Sequence, residues 1–401
     1  MISIGIDISK EKSMVCMLRP YGEIVASPYE IQHTNNELEG MCARILSLGE
    51  EVRVVMEATG AYHLPVLSYL NQAGIFASVI NPLVMKRYTG TALRKGKTDK
   101  IDSVRIANYG IDNWFKIQKY QPSDEIYEEL KILGRQYAHY INVKVKSKLA
   151  LTSILDRTMP GIKRLLQSSN PDKPIKDKLS DFVAEYWHYD NITAMSAEEF
   201  VSDYCQWTKE KGYQHSQAKA NAIYSLACEG IPTLPSNAPS TKMLTLEAVR
   251  VLCEINKTLQ TILSQMQAIA ITLPEYPVVR AMPGVGDVLA VRLIAEIGDV
   301  RRFHNGSALV AYAGLDAPPF QSGTFIATKR NISKRGSSLL RKTGYEVMKC
   351  LKTVKPIQDS AVYDFMLKKE TEGKPKKVAK IAALNKFLRI YYARVKEVYQ
   401  L

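Results

Sequence analysis

The sequence predicts an α/β N-terminal domain, a helical coiled-coil middle region and a mainly α C-terminal domain. Three observations support this fold class. Strand-like and helix-like segments alternate at the N-terminus, two heptad seams of apolar residues occupy the middle, and a glycine turn followed by an amphipathic helix opens the last part. We expect the domain ranges to be 1–120, 121–273 and 274–401.

The N-terminal elements follow from short apolar runs separated by turn residues. We predict, in order, strands over 2–9, 12–18 and 23–31, a helix over 36–48, a strand over 52–57, a helix over 61–73 and a strand over 75–80. The first three strands predict an antiparallel meander. In α/β sheets of this kind, ligand sites lie at the carboxyl ends of strands.

Four acidic residues occupy positions that predict a shared site. Asp7 lies among isoleucines in the first strand, and Glu57 ends a hydrophobic strand. Asp99 and Asp102 are three residues apart behind Thr98, a good N-cap, so both belong to the first turn of a helix and share a face. The arrangement resembles the RNase H-like nuclease fold in its RuvC-like form, in which four carboxylates bind two divalent cations.

Positive charge surrounds this acidic set. Lys and Arg number 54 against 40 Asp and Glu, a net charge of +14, which favours a polyanionic partner such as nucleic acid. The cations near the acids that we predict to bind nucleic acid are Lys86, Arg87, Arg94, Lys95 and Lys97. Carboxylates for a metal beside cations for phosphates are what a metal-dependent enzyme acting on a phosphate backbone requires.

Composition argues against several other classes of protein. The six cysteines are scattered without a CxxC pair, which is typical of buried thiols in a reducing compartment and not of a zinc site or a disulfide framework. The chain opens directly on a strand-like run with no signal peptide, and no apolar run is long enough to span a bilayer. We therefore expect a cytoplasmic protein with no membrane partner.

Two long helices with 4-3-4-3 apolar spacing are predicted in the middle region. The first seam contains Ile126, Leu130, Leu133, Tyr137, Tyr140, Lys144, Ser147, Leu151 and Ile154. The second contains Ala248, Leu252, Ile255, Leu259, Ile262, Met266, Ile269 and Leu273. They predict an antiparallel coiled-coil arm or a dimer contact, and the segment 160–245 between them carries no motif.

The C-terminal part combines glycine turns with a second basic cluster. Gly284 and Gly286 precede an amphipathic helix, as in half of a helix-hairpin-helix whose turn amides hold a DNA phosphate; a tight structural turn is the alternative. Ser322 lies in a loop rich in glycine and proline, where a metal or a base could activate it as a nucleophile. The cations predicted to bind nucleic acid here are Lys334, Arg335, Arg341 and Lys342.

Several motifs together resemble one family along nearly the whole chain. The N-terminal ones are IGIDISK, VMEATGAYH and the long NPLVMKRYTGTALRKGKTDKIDSVRIA. The C-terminal ones are MPGVGDVLAVRLIAEIGDVRRF, AYAGLDAPPFQSG and ISKRGSSLLR. The chain resembles the DEDD-type transposases of bacterial insertion sequences, which are related to the Piv-type DNA invertases.

The resemblance implies a composite active site. Asp7, Glu57, Asp99 and Asp102 would bind two Mg²⁺ ions, for which Mn²⁺ could substitute, and Ser322 would form a covalent phosphoserine link with DNA. Ser333, Ser337 and Ser338 fit better as phosphate contacts or helix caps. Implied partners are donor and target DNA, a structured noncoding guide RNA in one branch, and a homodimer that assembles into a tetramer. The implied location is cytoplasmic and associated with the nucleoid.

Two other functions remain open at this point. A RuvC-like nuclease or resolvase would use the same four acids to activate water, with no covalent intermediate. A non-catalytic scaffold would bind nucleic acid only, although four clustered carboxylates without a metal would repel one another. A tyrosine recombinase lacks support, because no constellation of Arg and His surrounds a tyrosine in the sequence.

Overall fold

The structure is a computed structural model that describes residues 1–90, 98–121, 124–166, 177–318, 321–322, 325–326 and 331–400. The chain forms two compact units, Met1–Pro122 and Ser123–Leu401. Within the described ranges, no helix combines the length and the apolar character that a membrane crossing requires.

The N-terminal unit is a mixed five-stranded sheet with helices. Its elements are β1 (Ile2–Ile8), β2 (Lys12–Leu18), β3 (Ile24–Gln32), α1 (Asn35–Leu46), β4 (Val52–Glu57), α2 (Leu64–Gln72), β5 (Ala77–Ile80), α3 (Pro82–Thr89) and α4 (Asp99–Asp112). The strand order is β3-β2-β1-β4-β5. The first three strands pair antiparallel, and β4 and β5 run parallel to β1. This confirms the predicted RNase H-like architecture and the N-terminal meander.

Both faces of β1 are covered, which explains why that strand is almost continuously apolar. Ile2, Ile4 and Ile6 pack on one face in a core shared with α1 and α2. Helix α4 lies on the opposite face, where small residues of the strand contact it. The sheet is therefore a rigid layer between helices, and α4 is held directly against its central strand.

The C-terminal unit is mainly helical. Its elements are α5 (Glu125–Thr158), α6 (Ile162–Leu166), α7 (Lys178–Tyr186), α8 (Tyr189–Thr193), α9 (Ala197–Glu210), α10 (Gln217–Glu229), α11 (Pro239–Ile271), α12 (Tyr276–Arg280), α13 (Asp287–Ile297), α14 (Gly306–Tyr312), β6 (Gln321–Ser322), β7 (Phe325–Ile326), α15 (Ser338–Val354), α16 (Ala361–Thr371) and α17 (Lys376–Val398). Strands β6 and β7 form a small antiparallel pair.

Helices α5 and α11 pack against each other as an antiparallel pair. Leu130, near the start of α5, shares a core with Met266 near the end of α11. Leu155, near the end of α5, shares another core with Leu252 in the first half of α11. The predicted antiparallel arm is thus present within one chain.

The predicted heptad register is only partly correct. Five of the residues predicted for the second seam are buried as expected: Leu252, Ile255, Leu259, Met266 and Leu273. Val249, Leu263 and Ala270 are buried next to the predicted Ala248, Ile262 and Ile269, which are half-buried. On α5 the residues buried are Tyr127, Leu130, Leu151, Leu155 and Thr158. Between them the predicted seam residues of α5 are all half-buried, none is exposed, and the fully buried residues are confined to the two ends of the helix: Leu133, Tyr137, Tyr140, Lys144 and Ser147 are the half-buried ones.

Two cores lie at opposite ends of this helix pair. The segment that carried no motif forms α6–α10 and packs with the adjoining ends of α5 and α11 around aromatic residues such as Phe182, Phe200 and Tyr204. The other end packs with α12–α17 in the largest core of the unit. Each end is therefore a packed helical body with its own apolar centre.

Candidate active site

The first candidate site residue, Asp7, lies on the face of β1 that α4 covers. Side chains alternate along a strand, so Ser3, Gly5 and Asp7 share the face opposite Ile4 and Ile6. A Cβ on Gly5 would lie 2.2 Å from the Ser103 carbonyl oxygen, so α4 touches the strand there. Asp7 is only partly exposed on this face.

Glu57 is the neighbour of Asp7 across two parallel strands. The register pairs Ile6 with Met56, and Asp7 and Glu57 are the next residue along each strand. Val55 packs with Ile106 of α4, so alternation puts Glu57 on the α4 face as well. Both carboxylates thus belong to one face at the carboxyl ends of adjacent strands.

Helix α4 begins where the sequence predicts. Thr98 is its N-cap, and its side chain accepts a hydrogen bond of 3.2 Å from the backbone N–H of Ile101. This cap makes Asp99 the first helical residue. The predicted placement of Asp99 and Asp102 in the first turn is therefore correct.

The first turn of α4 lies over the end of β1 that bears Asp7. Gly110 of the helix sits on Ser3, and Ser103 and Ala107 sit on Gly5, so the two elements run in opposite directions. Two residues of a strand extend ~6.6 Å, whereas each residue of a helix rises ~1.5 Å. A length of helix equal to two strand residues therefore contains about four to five residues. This spacing brings Asp99 and Asp102 towards Asp7.

The position of Asp99 is also indicated by the effect of its charge on the pKa of Lys12. The pKa of Lys12, the first residue of β2, is raised, chiefly by its hydrogen bond to Glu30 and the Glu30 charge and to a smaller extent by the Asp99 carboxylate. Lys12 follows β1 through a short turn, so Asp99 lies at the carboxyl end of β1.

The side chains of the four acids are not gathered around one point. Asp102 forms an ion pair with Arg105 at 3.0 Å, and its side chain is 24% exposed. Within the described ranges, no three His, Cys, Asp or Glu side chains are close enough together to hold one metal ion. The backbone thus brings the four acids to one edge of the sheet, while the side chains do not form a closed metal site. A set of four carboxylates nevertheless has the donor chemistry that hard divalent cations require.

The cations predicted around the acids fall into two groups. Lys86 and Arg87 are exposed in the last turn of α3, where both side chains are accessible to a ligand. Arg94, Lys95 and Lys97 lie outside the described residues.

Ser322 belongs to the short β6–β7 pair, in which it is the register partner of Phe325. The structure describes its backbone but not its side chain. It precedes the ISKRG segment, which packs on the AYAGLD segment through two glycines. A Cβ on Gly336 would lie 2.6 Å from the Gly314 nitrogen, so only glycine permits this approach. The two motifs thus form one structural element.

This packing leaves Lys334 and Arg335 exposed at the surface. The Lys334 N–H donates to the Gly314 carbonyl at 3.0 Å, and Ser333 Oγ donates to Asp316 Oδ1 at 2.5 Å. The backbone of the basic segment is therefore fixed while the two cationic side chains remain accessible, as a phosphate-binding site requires.

Arg341 has a structural role in addition to its charge. Its Nη1 donates to the carbonyls of Ala313, Gly336 and Ser337 at 2.9–3.4 Å. The predicted helix-cap role of Ser337 is confirmed, because Ser337 Oγ accepts from the Leu340 N–H at 2.9 Å. Lys342 is exposed in the first turn of α15.

Sequence reasoning missed Glu296, which supports this cap. It is 6% exposed on the apolar helix α13, and its carboxylate accepts a hydrogen bond from Ser337 Oγ. An acid inside an apolar helix is the signal that could have identified it, since burying a carboxylate requires a partner.

Gly284 and Gly286 differ in what surrounds them. Gly284 has φ +79° and lies against α15, where a Cβ would be 2.9 Å from the Leu351 nitrogen. This close packing matches the structural-turn alternative. Gly286, the N-cap of α13, has open space where a Cβ would be. Asp287 beside it pairs with Arg280.

Comparison with known proteins gives two family matches. The transposase model DEDD_Tnp_IS110 matches residues 4–160, and the model described as Transposase IS116/IS110/IS902 family matches residues 276–363. Together these ranges span more than half of the chain.

The individual relatives and solved structures share little sequence identity with the chain. The chain is 22% identical to an uncharacterized protein of insertion element IS110 from Streptomyces coelicolor, covering 81% of this chain and 78% of that one. It is 22% identical to the pilin gene-inverting protein of Moraxella lacunata, covering 98% and 95%. A solved structure of T. thermophilus RuvC in complex with Holliday junction substrate is 11% identical, covers 30% of this chain and 99% of RuvC, and has a TM-score of 0.24.

Proposed function

The chain belongs to the IS110-type transposases, and from that membership we propose that it is a site-specific DNA recombinase whose four N-terminal carboxylates and Ser322 form one composite active site. The observation that supports this most strongly is the shared position of Asp7 and Glu57. They lie on one face of adjacent parallel strands, and α4 brings its first turn to the same end of that face.

We propose that Asp7, Glu57, Asp99 and Asp102 hold two Mg²⁺ ions, with Mn²⁺ as an acceptable substitute. Bound divalent ions would stabilise charge on the attacking and leaving oxygens of a phosphodiester. Asp102 forms an ion pair with Arg105. Metal binding would therefore require Asp102 to exchange this ion pair for a metal ligand bond.

The covalent step assigned to Ser322 is an exchange of ester bonds. Its hydroxyl gives up its proton to solvent as the oxygen attacks phosphorus, a P–O bond of the DNA backbone breaks, and the released sugar oxygen takes up a proton from solvent. The reverse reaction with the hydroxyl of another strand rejoins the DNA, because the phosphoserine ester conserves the bond energy. Exposed Lys86, Arg87, Lys334, Arg335 and Lys342 would hold the strands through their phosphates.

We also propose that a structured noncoding RNA guides the enzyme to donor and target DNA and that a dimer assembling into a tetramer performs the exchange. Purifying the chain from its host and sequencing the associated RNA tests the first part. A discrete RNA with segments matching the ends of the element and its insertion site would support guidance. Heterogeneous RNA, or none, would contradict it.

Replacing the acids one at a time tests the proposed catalytic set. Asp7→Asn, Glu57→Gln, Asp99→Asn and Asp102→Asn should each reduce Mg²⁺-dependent strand cleavage by roughly 10²- to 10³-fold, the effect of losing one charge-stabilising group at a reaction centre. Asp112→Asn is the matched control, because Asp112 lies at the other end of α4 and accepts a hydrogen bond from Tyr88.

The same variants distinguish an enzyme from a non-catalytic scaffold that only binds nucleic acid. DNA binding without metal should be retained in all five variants. Cleavage that persists in Asp102→Asn would contradict the proposed site, and no cleavage by the unmodified chain on any DNA would favour a scaffold.

A further inference from the structure

A basic surface extends beyond the predicted cations, along α15 and the start of α17. Lys342, Tyr345 and Lys349 are spaced three and four residues apart, so they share one face of α15. Helix α17 packs beside them, because Leu384 Cδ1 lies 2.4 Å from where a Cβ of Gly344 would be. Lys380 is one helical turn before Leu384 and reaches the same face.

The ring of Tyr345 lies close to two of these lysines. Lys349 Nζ is 5.5 Å and Lys380 Nζ 5.7 Å from the ring centroid. The ring therefore brings cations from two different helices to one place on the surface. An aromatic ring among cations is a recurrent feature of surfaces that bind nucleic-acid strands. We call Lys342, Tyr345, Lys349, Lys376, Lys377 and Lys380 the lysine track.

Three acids on α15, on α16 and at the end of α16 are paired with other cations. Glu346 pairs with Arg292 at 2.5 Å, Glu370 with Lys352, and Glu372 with Lys369 at 2.7 Å. None of the five lysines of the track forms an ion pair with another residue that the structure describes. The track is thus a group of like charges without compensating acids, which favours a polyanionic partner.

Helix stability does not explain the lysines of α17. Lys376 and Lys377 are exposed residues of its first turn, which contains no acid. The helix dipole makes a positive charge unfavourable at that end and favourable at the other. Positive charge is therefore concentrated where the fold alone would disfavour it.

Given the proposed action on nucleic acid, on which this inference rests, we infer that the lysine track binds the phosphodiester backbone of a DNA or RNA strand. From Lys342 to Lys349 the helix advances about 10 Å, the length of duplex axis over which one strand carries about three phosphates. Lys334 and Arg335 precede the same helix and extend the surface. The track would hold nucleic acid without reading its sequence.

The dependence of binding on salt tests this inference directly. We would measure fluorescence anisotropy of the full chain with duplex DNA and with a structured RNA, without divalent metal. The variants are Lys349→Gln/Lys380→Gln and Lys376→Gln/Lys377→Gln. The control is Lys131→Gln/Lys257→Gln, which removes the same charge from lysines that pair with Glu128 and Glu254 on the long helices.

Each track variant should reduce the slope of log K against log salt by about 1.8 on duplex DNA, and by about 1.4 to 1.8 on the structured RNA, since two phosphate contacts are lost. A reduction on only one of the two probes identifies that nucleic acid as the ligand. Slopes equal to the control on both probes would overturn the inference. Because the assay involves no cleavage, this result is independent of whether Ser322 is the nucleophile.

Discussion

At the residue scale, Gly5 determines whether α4 can bring its acids to the sheet. An alanine Cβ there would lie 2.2 Å from the Ser103 oxygen and 2.3 Å from the Ala107 nitrogen, both backbone atoms that cannot move alone. Gly5→Ala should therefore displace the helix, lower the free energy of unfolding by about 1–3 kcal/mol, and reduce metal-dependent cleavage. Chemical denaturation and a cleavage assay measure the two effects.

Gly40→Ala is the control for this prediction. Gly40 lies within α1 and has nothing within 4 Å of the position of a Cβ. The substitution should leave cleavage unchanged and should not destabilise the fold, since alanine favours helix formation over glycine. A Gly5→Ala protein as stable and active as the Gly40→Ala protein would contradict the close contact between β1 and α4.

Part of the candidate active site can be predicted from the sequence alone. The places of Asp7, Glu57 and the Asp99–Asp102 pair in the fold were predictable, because an acid among isoleucines, a strand end and a helix cap each leave a local signal. Thr98 indeed caps α4. The small residues that let α4 approach β1 were not, because a contact between distant segments leaves no periodic pattern. That Ser103 and Gly110 contact β1 can be seen only in the folded chain.

At the element scale, the helical body formed by α6–α10 depends on one aromatic cluster. Phe182 is fully buried, with its ring 4.6 Å from Tyr186 and 5.8 Å from Trp207, centroid to centroid. Phe182→Ala should cost about 3–5 kcal/mol in that body. Hydrogen exchange should show loss of protection in α7 and α9 and retained protection in α15 and α17, because the two cores are separate.

Phe115→Ala is the matched control, since that ring is 92% exposed and should change little. Equal loss of protection in both cores of the Phe182→Ala protein would show that the C-terminal unit unfolds as one cooperative body, contrary to this prediction.

A buried carboxylate joins three helical segments at the base of α5. Glu275 is 1% exposed and accepts hydrogen bonds from Tyr127, at 2.7 Å, and from Tyr399 near the C-terminus. Burial, a hydrogen bond with the Tyr399 hydroxyl and the hydrogen bond to Glu275 raise the pKa of Tyr127. Tyr127→Phe should lower the free energy of unfolding by about 1–3 kcal/mol because the carboxylate loses a donor.

Thermal or denaturant unfolding measures this loss, with Tyr140→Phe on the same helix as the control. No hydrogen bond of the Tyr140 hydroxyl is present among the described residues, so its removal should be nearly neutral. A Tyr127→Phe protein as stable as the control would contradict the network.

The heptad prediction was only partly correct for a physical reason. A 4-3 seam assumes that a helix has the same partner along its whole length. Near its C-terminal end, however, α5 also packs against the α6–α10 body, and Leu151 and Leu155 belong to that core. Sequence periodicity cannot show where a helix changes partner. It therefore predicted both helices, their direction and the side of each helix that packs, but only part of the set of fully buried residues.

At the scale of the whole molecule, the acids and Ser322 belong to different compact units. The proposed composite site can therefore form within one chain or between two. If it forms between chains, mixing Asp102→Ala protein with Ser322→Ala protein should restore part of the strand cleavage that neither performs alone. No restored cleavage in a mixture shown to form mixed oligomers would contradict the arrangement between chains.

The most direct test of the central claim is a search for a covalent protein–DNA adduct. The chain would be incubated with Mg²⁺, DNA containing the ends of its element and any RNA that copurifies with it, and then denatured. We predict an adduct that survives denaturation and maps to Ser322, present in Ser338→Ala and missing in Ser322→Ala. Cleaved DNA without an adduct, or cleavage that persists in Ser322→Ala, would contradict the claim and identify a nuclease that uses water.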